Sequence, residues 1–82
     1  MRYFFHTEDG RSCHDEDGAE LPDVAAAKRT AIKVVCEMLP DLSDFWETCS
    51  FTVICTDEND LRLFQVDVGA TVAPAVAARA PA

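Results

Sequence analysis

The tightest constraint on this chain lies near its start, where three unlike signals follow one another almost without a gap. Arg2-Tyr3-Phe4-Phe5-His6 is an aromatic run of the kind that fills strands. Asp9-Gly10 follows as a short hairpin signal, because both residues tolerate the positive φ of a type I′ turn. Leu21-Pro22-Asp23 then opens a helix: proline pre-sets φ near a helix start, and an aspartate can cap free N–H groups there. Strand, reversal and helix start in such short order direct the chain to a mixed α+β architecture. None of them is a constellation that commits to a chemistry.

If Asp9 and Gly10 alone form the first turn, Glu8 faces Arg11, Thr7 faces Ser12 and His6 faces Cys13. Asp15 to Gly18 reads as a second turn, dense in carboxylates. The helix runs to about Leu39, where Pro40 stops it. Val24, Ala27, Ala31, Val34, Val35 and Met38 form its apolar stripe, with Ala26, Arg29, Lys33 and Glu37 opposite. Asp41 to Thr48 is a connector whose Phe45 and Trp46 are expected to plug the end of a small core. Cys49 to Thr56 alternates, with Phe51, Val53 and Cys55 on one face and Thr52, Ile54 and Thr56 on the other. Asp57 to Asp60 is a hairpin loop, and Leu61 to Val68 returns. The expected fold is therefore ββαββ: a four-stranded antiparallel sheet in the order 2-1-3-4, with one helix packed on one face. It forms a single domain over residues 1–68, and the Ala/Pro-rich stretch 69–82 is expected to be a disordered tail.

One helix covers one face of a sheet only. Tyr3 and Phe5 oppose Phe4 along the first strand, and Leu61 and Leu63 oppose Phe64 and Val66 along the last. Both faces are therefore expected to be apolar. Phe4, Ile54, Phe64 and Val66 become candidates for an interface on the uncovered face. A chain of 82 residues has little stability in reserve, so an uncovered apolar patch calls for a partner.

Composition narrows the partner. Fifteen acidic residues against 7 basic give a formal charge of −8, which repels phosphate backbones and argues against nucleic acid. No stretch approaches the length of a membrane span, and Met1 to His6 lacks the apolar core of a secretory signal. The expected setting is the cytoplasm, with Cys13, Cys36, Cys49 and Cys55 as free thiols.

With Arg2-Tyr3-Phe4-Phe5-His6, Asp9-Gly10, Asp15, Gly18, Glu20-Leu21-Pro22-Asp23 and Ala26-Ala27, the chain resembles a family of short bacterial proteins with no assigned function. The family pattern opens R-Y-F-F-H, turns at D-G, and continues D-x-x-G-x-E-L-P-D into an Ala-rich helix. A later V-x-D-E-x-G hairpin is matched loosely at Thr56-Asp57-Glu58, with Asp60 in place of the usual glycine. The resemblance covers roughly residues 2–68. It implies a small cytoplasmic α+β domain and supplies no catalytic residues.

The remaining chemistry is thin. His6 and Cys13, as cross-strand neighbours, could form a thiolate dyad or hold two ligands of a metal. The cysteines lack the close spacing of a structural zinc site. An EF-hand reading of the acidic turn fails, since Cys13 and Val24 stand where an Asp and a bidentate Glu are required. Asp15, Asp17 and Glu20 could at most hold a divalent cation weakly. Gly10, Gly18 and Gly69 stand alone, without a phosphate loop or nucleophile elbow. An enzyme is disfavoured and no cofactor is called for. The leading expectation is a non-enzymatic interaction module that self-associates through the uncovered sheet face, as a homodimer, or binds another protein. Pairing of edge strands is a variant of this expectation. The alternative is a small-ligand or metal-dependent redox module using His6 and Cys13.

Overall fold

The computed structural model describes residues 1–75. The elements run β1 (Arg2–Glu8), β2 (Ser12–Cys13), β3 (Ala19–Glu20), α1 (Val24–Met38), a 3₁₀ turn (Leu39–Asp41), α2 (Phe45–Thr48), β4 (Ser50–Thr56) and β5 (Arg62–Gly69). The fold is α+β, with an antiparallel sheet and one main helix. The sheet path is β2-β1-β4-β5, and a fifth strand, β3, pairs with the start of β1. Strand count and order thus differ from the expected four-stranded 2-1-3-4. The dipeptide Ala19-Glu20 is too short for a sequence pattern to mark it as a strand. Of the expected tail, residues 76–82 lie outside the described residues.

Helix α1 starts where the sequence directs. Asp23 is extended (φ −161°), and its Oδ1 accepts the Ala26 N–H at 2.8 Å. Pro40 falls in the 3₁₀ turn that ends the helix. The buried stripe is narrower than expected, however: Ala26, Ala27 and Ala31 are buried, while Val24 and Met38 are exposed. Three alanines let the helix axis come close to the sheet, and the flanking valines and methionine lie at the margins of that contact. Ala26, assigned to the outer face, belongs to the inner one.

Beneath the helix, Phe51, Val53 and Cys55 of β4 are fully buried. Tyr3 and Phe5 of β1 pack beside them, and Leu63, Phe64, Val66 and Val68 of β5 close the other flank. Phe45 packs against the same core. Trp46, expected to plug it, is 66% exposed, because a four-residue helix turns only one of two adjacent aromatics inward.

Candidate functional site

The first turn is wider than a two-residue hairpin. Glu8 pairs with Ser12 and Thr7 with Cys13, so the turn spans Asp9–Arg11, with Gly10 at φ +100°. The added residue shifts the register by one. Cys13 lies opposite Thr7, and His14 takes the place beside His6, their rings stacked with centroids 4.2 Å apart. His6 is also committed elsewhere: its Nδ1 accepts the Asp15 N–H at 3.0 Å, and its Nε2 lies 2.9 Å from Thr56 Oγ1. In the neutral ring, with Nδ1 an acceptor, the proton sits on Nε2 and can be donated to the threonine. The expected His6–Cys13 cross-strand pair is therefore absent, and both imidazole nitrogens act in the fold.

Asp15 likewise serves the fold. One carboxylate oxygen accepts the Phe5 N–H at 3.1 Å, and the other accepts Asp17 N–H and Gly18 N–H, each at 3.2 Å. Partial burial alone raises this carboxyl's pKa. The hydrogen bonds from Phe5, Gly18 and Asp17, with the nearby His6, outweigh that and hold it below the ordinary value. Gly18 (φ +70°) brings the chain back against β1, where a Cβ would stand 2.8 Å from Tyr3 O and 2.9 Å from Phe4 Cε1. Glu20 reaches the Met1 amino nitrogen at 2.6 Å. Asp15, Asp17 and Glu20 are thus not assembled around one point. Among the described residues, no cluster of three or more His, Cys, Asp or Glu side chains could hold a metal ion.

The cysteines are scattered. Cys13 and Cys36 are exposed, Cys49 is half-buried at the end of α2, and Cys55 is buried. Burial, with the Asp57 carboxylate nearby, pushes the Cys55 thiol up to about 11, so it stays protonated.

The pairing registers assign the paired residues of β1, β4 and β5 to faces. Phe5 pairs with Cys55, Thr7 with Val53, Phe64 with Cys55, Val66 with Val53 and Val68 with Phe51. All of these face the helix. The open face carries Phe4, His6 and Glu8 of β1, Thr52, Ile54 and Thr56 of β4, and Arg62, Gln65 and Asp67 of β5. Of the four expected interface residues, Phe64 and Val66 are therefore on the helix side. Only Phe4 and Ile54 are on the open face, and Ile54 is just 6% exposed. That face is polar and internally bonded. Thr52 Oγ1 donates to Asp67 Oδ1 (3.0 Å), Gln65 Nε2 reaches both Asp67 oxygens (3.1 and 3.2 Å), and Arg62 donates to Gln65 Oε1 (3.1 Å). The misassignment arose at a β-bulge at Cys55/Thr56, where the pairing skips Leu63. An extra residue there inverts the parity along β5.

The edges of the sheet remain. Outward amides of β1 are filled: Tyr3 and Thr7 pair with β3 and β2, and Phe5 N–H between them is taken by Asp15. At the other limit of the sheet path lies β5, eight residues long. Ala70 N–H donates inward to Cys49 O at 3.1 Å. By alternation, Val68, Val66 and Phe64 direct their amides to β4, while Gln65 and Asp67 direct theirs outward. From Phe64 to Gly69 this edge has no proline, no lysine and no bulge, the usual devices that block a further strand.

A family model described as a domain of unknown function, DUF6894, matches residues 2–69. The chain belongs to this family. The match takes in β1 to β5, α1 and α2. No curated protein and no solved structure matches the chain. Among the described residues, no helix is long and apolar enough to cross a membrane.

Proposed function

We propose that this chain is a small non-enzymatic protein-interaction module of the bacterial cytoplasm, which docks another polypeptide strand along the open edge of β5. The observation that carries this reading is the outward row of β5 backbone groups beside Phe64, Val66 and Val68, which are only partly buried on the helix side. Strand addition draws affinity from main-chain hydrogen bonds and specificity from alternate side chains, and this edge offers both. The polar, self-bonded open face supports the edge over the face as the docking surface. A shallow cleft on that face, lined by His6, Cys13, His14, Ile54, Thr56 and Arg62 among others, is open to solvent, and the His6 imidazole in it is already engaged.

Gln65→Pro tests this reading. It removes one outward amide and leaves the ladder to β4 intact, a position where sheets tolerate proline. Tagged wild-type and variant proteins, expressed at native levels in the source cell, are compared for what co-purifies. The expected result is a bound chain, either a second copy or another protein, that is lost with a folded Gln65→Pro variant. Retention of the same set by the variant would refute the edge as the docking element.

A further inference from the structure

We infer that the strand received by β5 is the β5 of a second copy, joined antiparallel about a two-fold axis through Val66. This rests on the strand-docking reading above and adds the identity of the occupant and its register.

The register follows from three features of β5. First, a two-fold antiparallel pair must oppose residues whose amides point the same way, so the sum of paired residue numbers is even. Second, the bulge at Leu63 leaves Phe64 to Gly69 as the regular stretch, whose middle falls at Val66 and Asp67. Third, charge selects among the neighbouring registers. Centring the pair on Asp67 would oppose two like carboxylates in an already acidic protein, which is destabilising. Centring it on Gln65 would set Asp67 against the bulged Leu63. Centring it on Val66 sets each Gln65 opposite the partner's Asp67.

In that arrangement the outward amides of Gln65 and Asp67 form the hydrogen-bonded pairs. On the open face, Gln65 repeats across the interface the amide–carboxylate contact it already makes with Asp67 within the strand (3.1 Å). On the helix side, Val66 meets Val66, and each Phe64 meets the partner's Val68. The half-buried β5 margins of the two cores join into one apolar layer, and the two sheets become continuous.

Light scattering on the wild-type protein reads first whether a dimer forms. The register is then read by Val66→Cys in a chain carrying Cys13→Ser and Cys36→Ser, which remove the exposed native thiols. Opposed β-carbons at a non-hydrogen-bonded pair stand about 5 Å apart, close enough to link on oxidation. The expected outcome is a covalent dimer joined through position 66 by peptide mapping, with poorer linkage from Phe64→Cys or Val68→Cys. Charge exchange supplies a second readout without oxidation. Gln65→Lys faces the partner's Asp67 and tightens the dimer roughly 3- to 10-fold, whereas Gln65→Asp loosens it by a similar factor.

A wild-type monomer at every concentration overturns the second copy as occupant. The strand-docking reading then stands if Gln65→Pro still loses a co-purifying protein. A dimer that is insensitive to Gln65→Pro overturns both. A Gln65→Pro-sensitive dimer with no linkage through position 66, or one weakened equally by Gln65→Lys and Gln65→Asp, overturns the register and leaves the docking strand.

Discussion

The two edges of the sheet are built in opposite ways. Along β1 the outward amides are closed by β2, by β3 and, in the gap between them, by the Asp15 carboxylate on Phe5 N–H. Gly18 turns the chain inward so tightly that its α-carbon leaves no room for a side chain. Along β5, Gln65 and Asp67 direct their amides outward at the end of the sheet path, with no further strand beside them among the described residues. The conspicuous residues of the N-terminal motif, His6, Asp15 and Gly18 among them, therefore go into sealing one edge. The unremarked alternation of β5 supplies the surface that is left. A residue pattern that looks like a site can be the device that removes one.

Substitutions along the closed edge should cost stability, and those along the open edge should cost association. Gly18→Ala carries the largest expected effect, about 2–3 kcal/mol, because it combines a positive φ with a Cβ forced against Tyr3 O. Urea denaturation of the variant measures it. An unchanged midpoint would mean that the closed edge is not held by this approach.

Asp15→Ala follows, at about 1–2 kcal/mol for charge-assisted bonds at a partly exposed site. The same group sets a pH dependence. Its native pKa lies below the ordinary 3.8, so its contribution is complete above that value and is lost as pH falls through the lower native one. Asp15→Asn should lose that acid-side decline in stability, as read from thermal melts between neutral and strongly acidic pH.

Gln65→Pro, on the other edge, should shift the monomer's stability by less than about 1 kcal/mol while abolishing docking. If it unfolds the chain instead, the outward direction of that amide is wrong and the contrast between the edges fails. Trp46→Ala has the smallest expected effect, within about 0.5 kcal/mol, since most of the ring is in water. A larger loss would place the indole in an interface that involves neither edge.

Much of the framework was legible in the sequence, and the misses have local causes. Pro22 and Asp23 mark the helix start because capping is a short-range interaction between neighbours in the chain. The alternation of Phe51, Val53 and Cys55 marks the buried face of β4 for the same reason: one residue's direction fixes the next. Register was not legible. Asp9-Gly10 can begin a two-residue turn or sit in a wider one, and inclusion of Arg11 moved Cys13 away from His6. Nor was the bulge at Leu63, which depends on how β5 meets β4 across the sheet and reverses the assignment of Phe64 and Val66. The role of Asp15 escaped because a carboxylate that substitutes for a strand has the same sequence signature as a solvated acidic turn.

Residue-resolved amide hydrogen exchange on the wild-type protein, followed over a dilution series, addresses the central contrast most directly. The Phe5 amide, bonded to Asp15 within the chain, should be protected equally at every concentration. The Gln65 and Asp67 amides should be protected in concentrated solution and released on dilution. Free exchange at both positions throughout, with Phe5 unchanged, would contradict the open edge as a surface that pairs with a second copy.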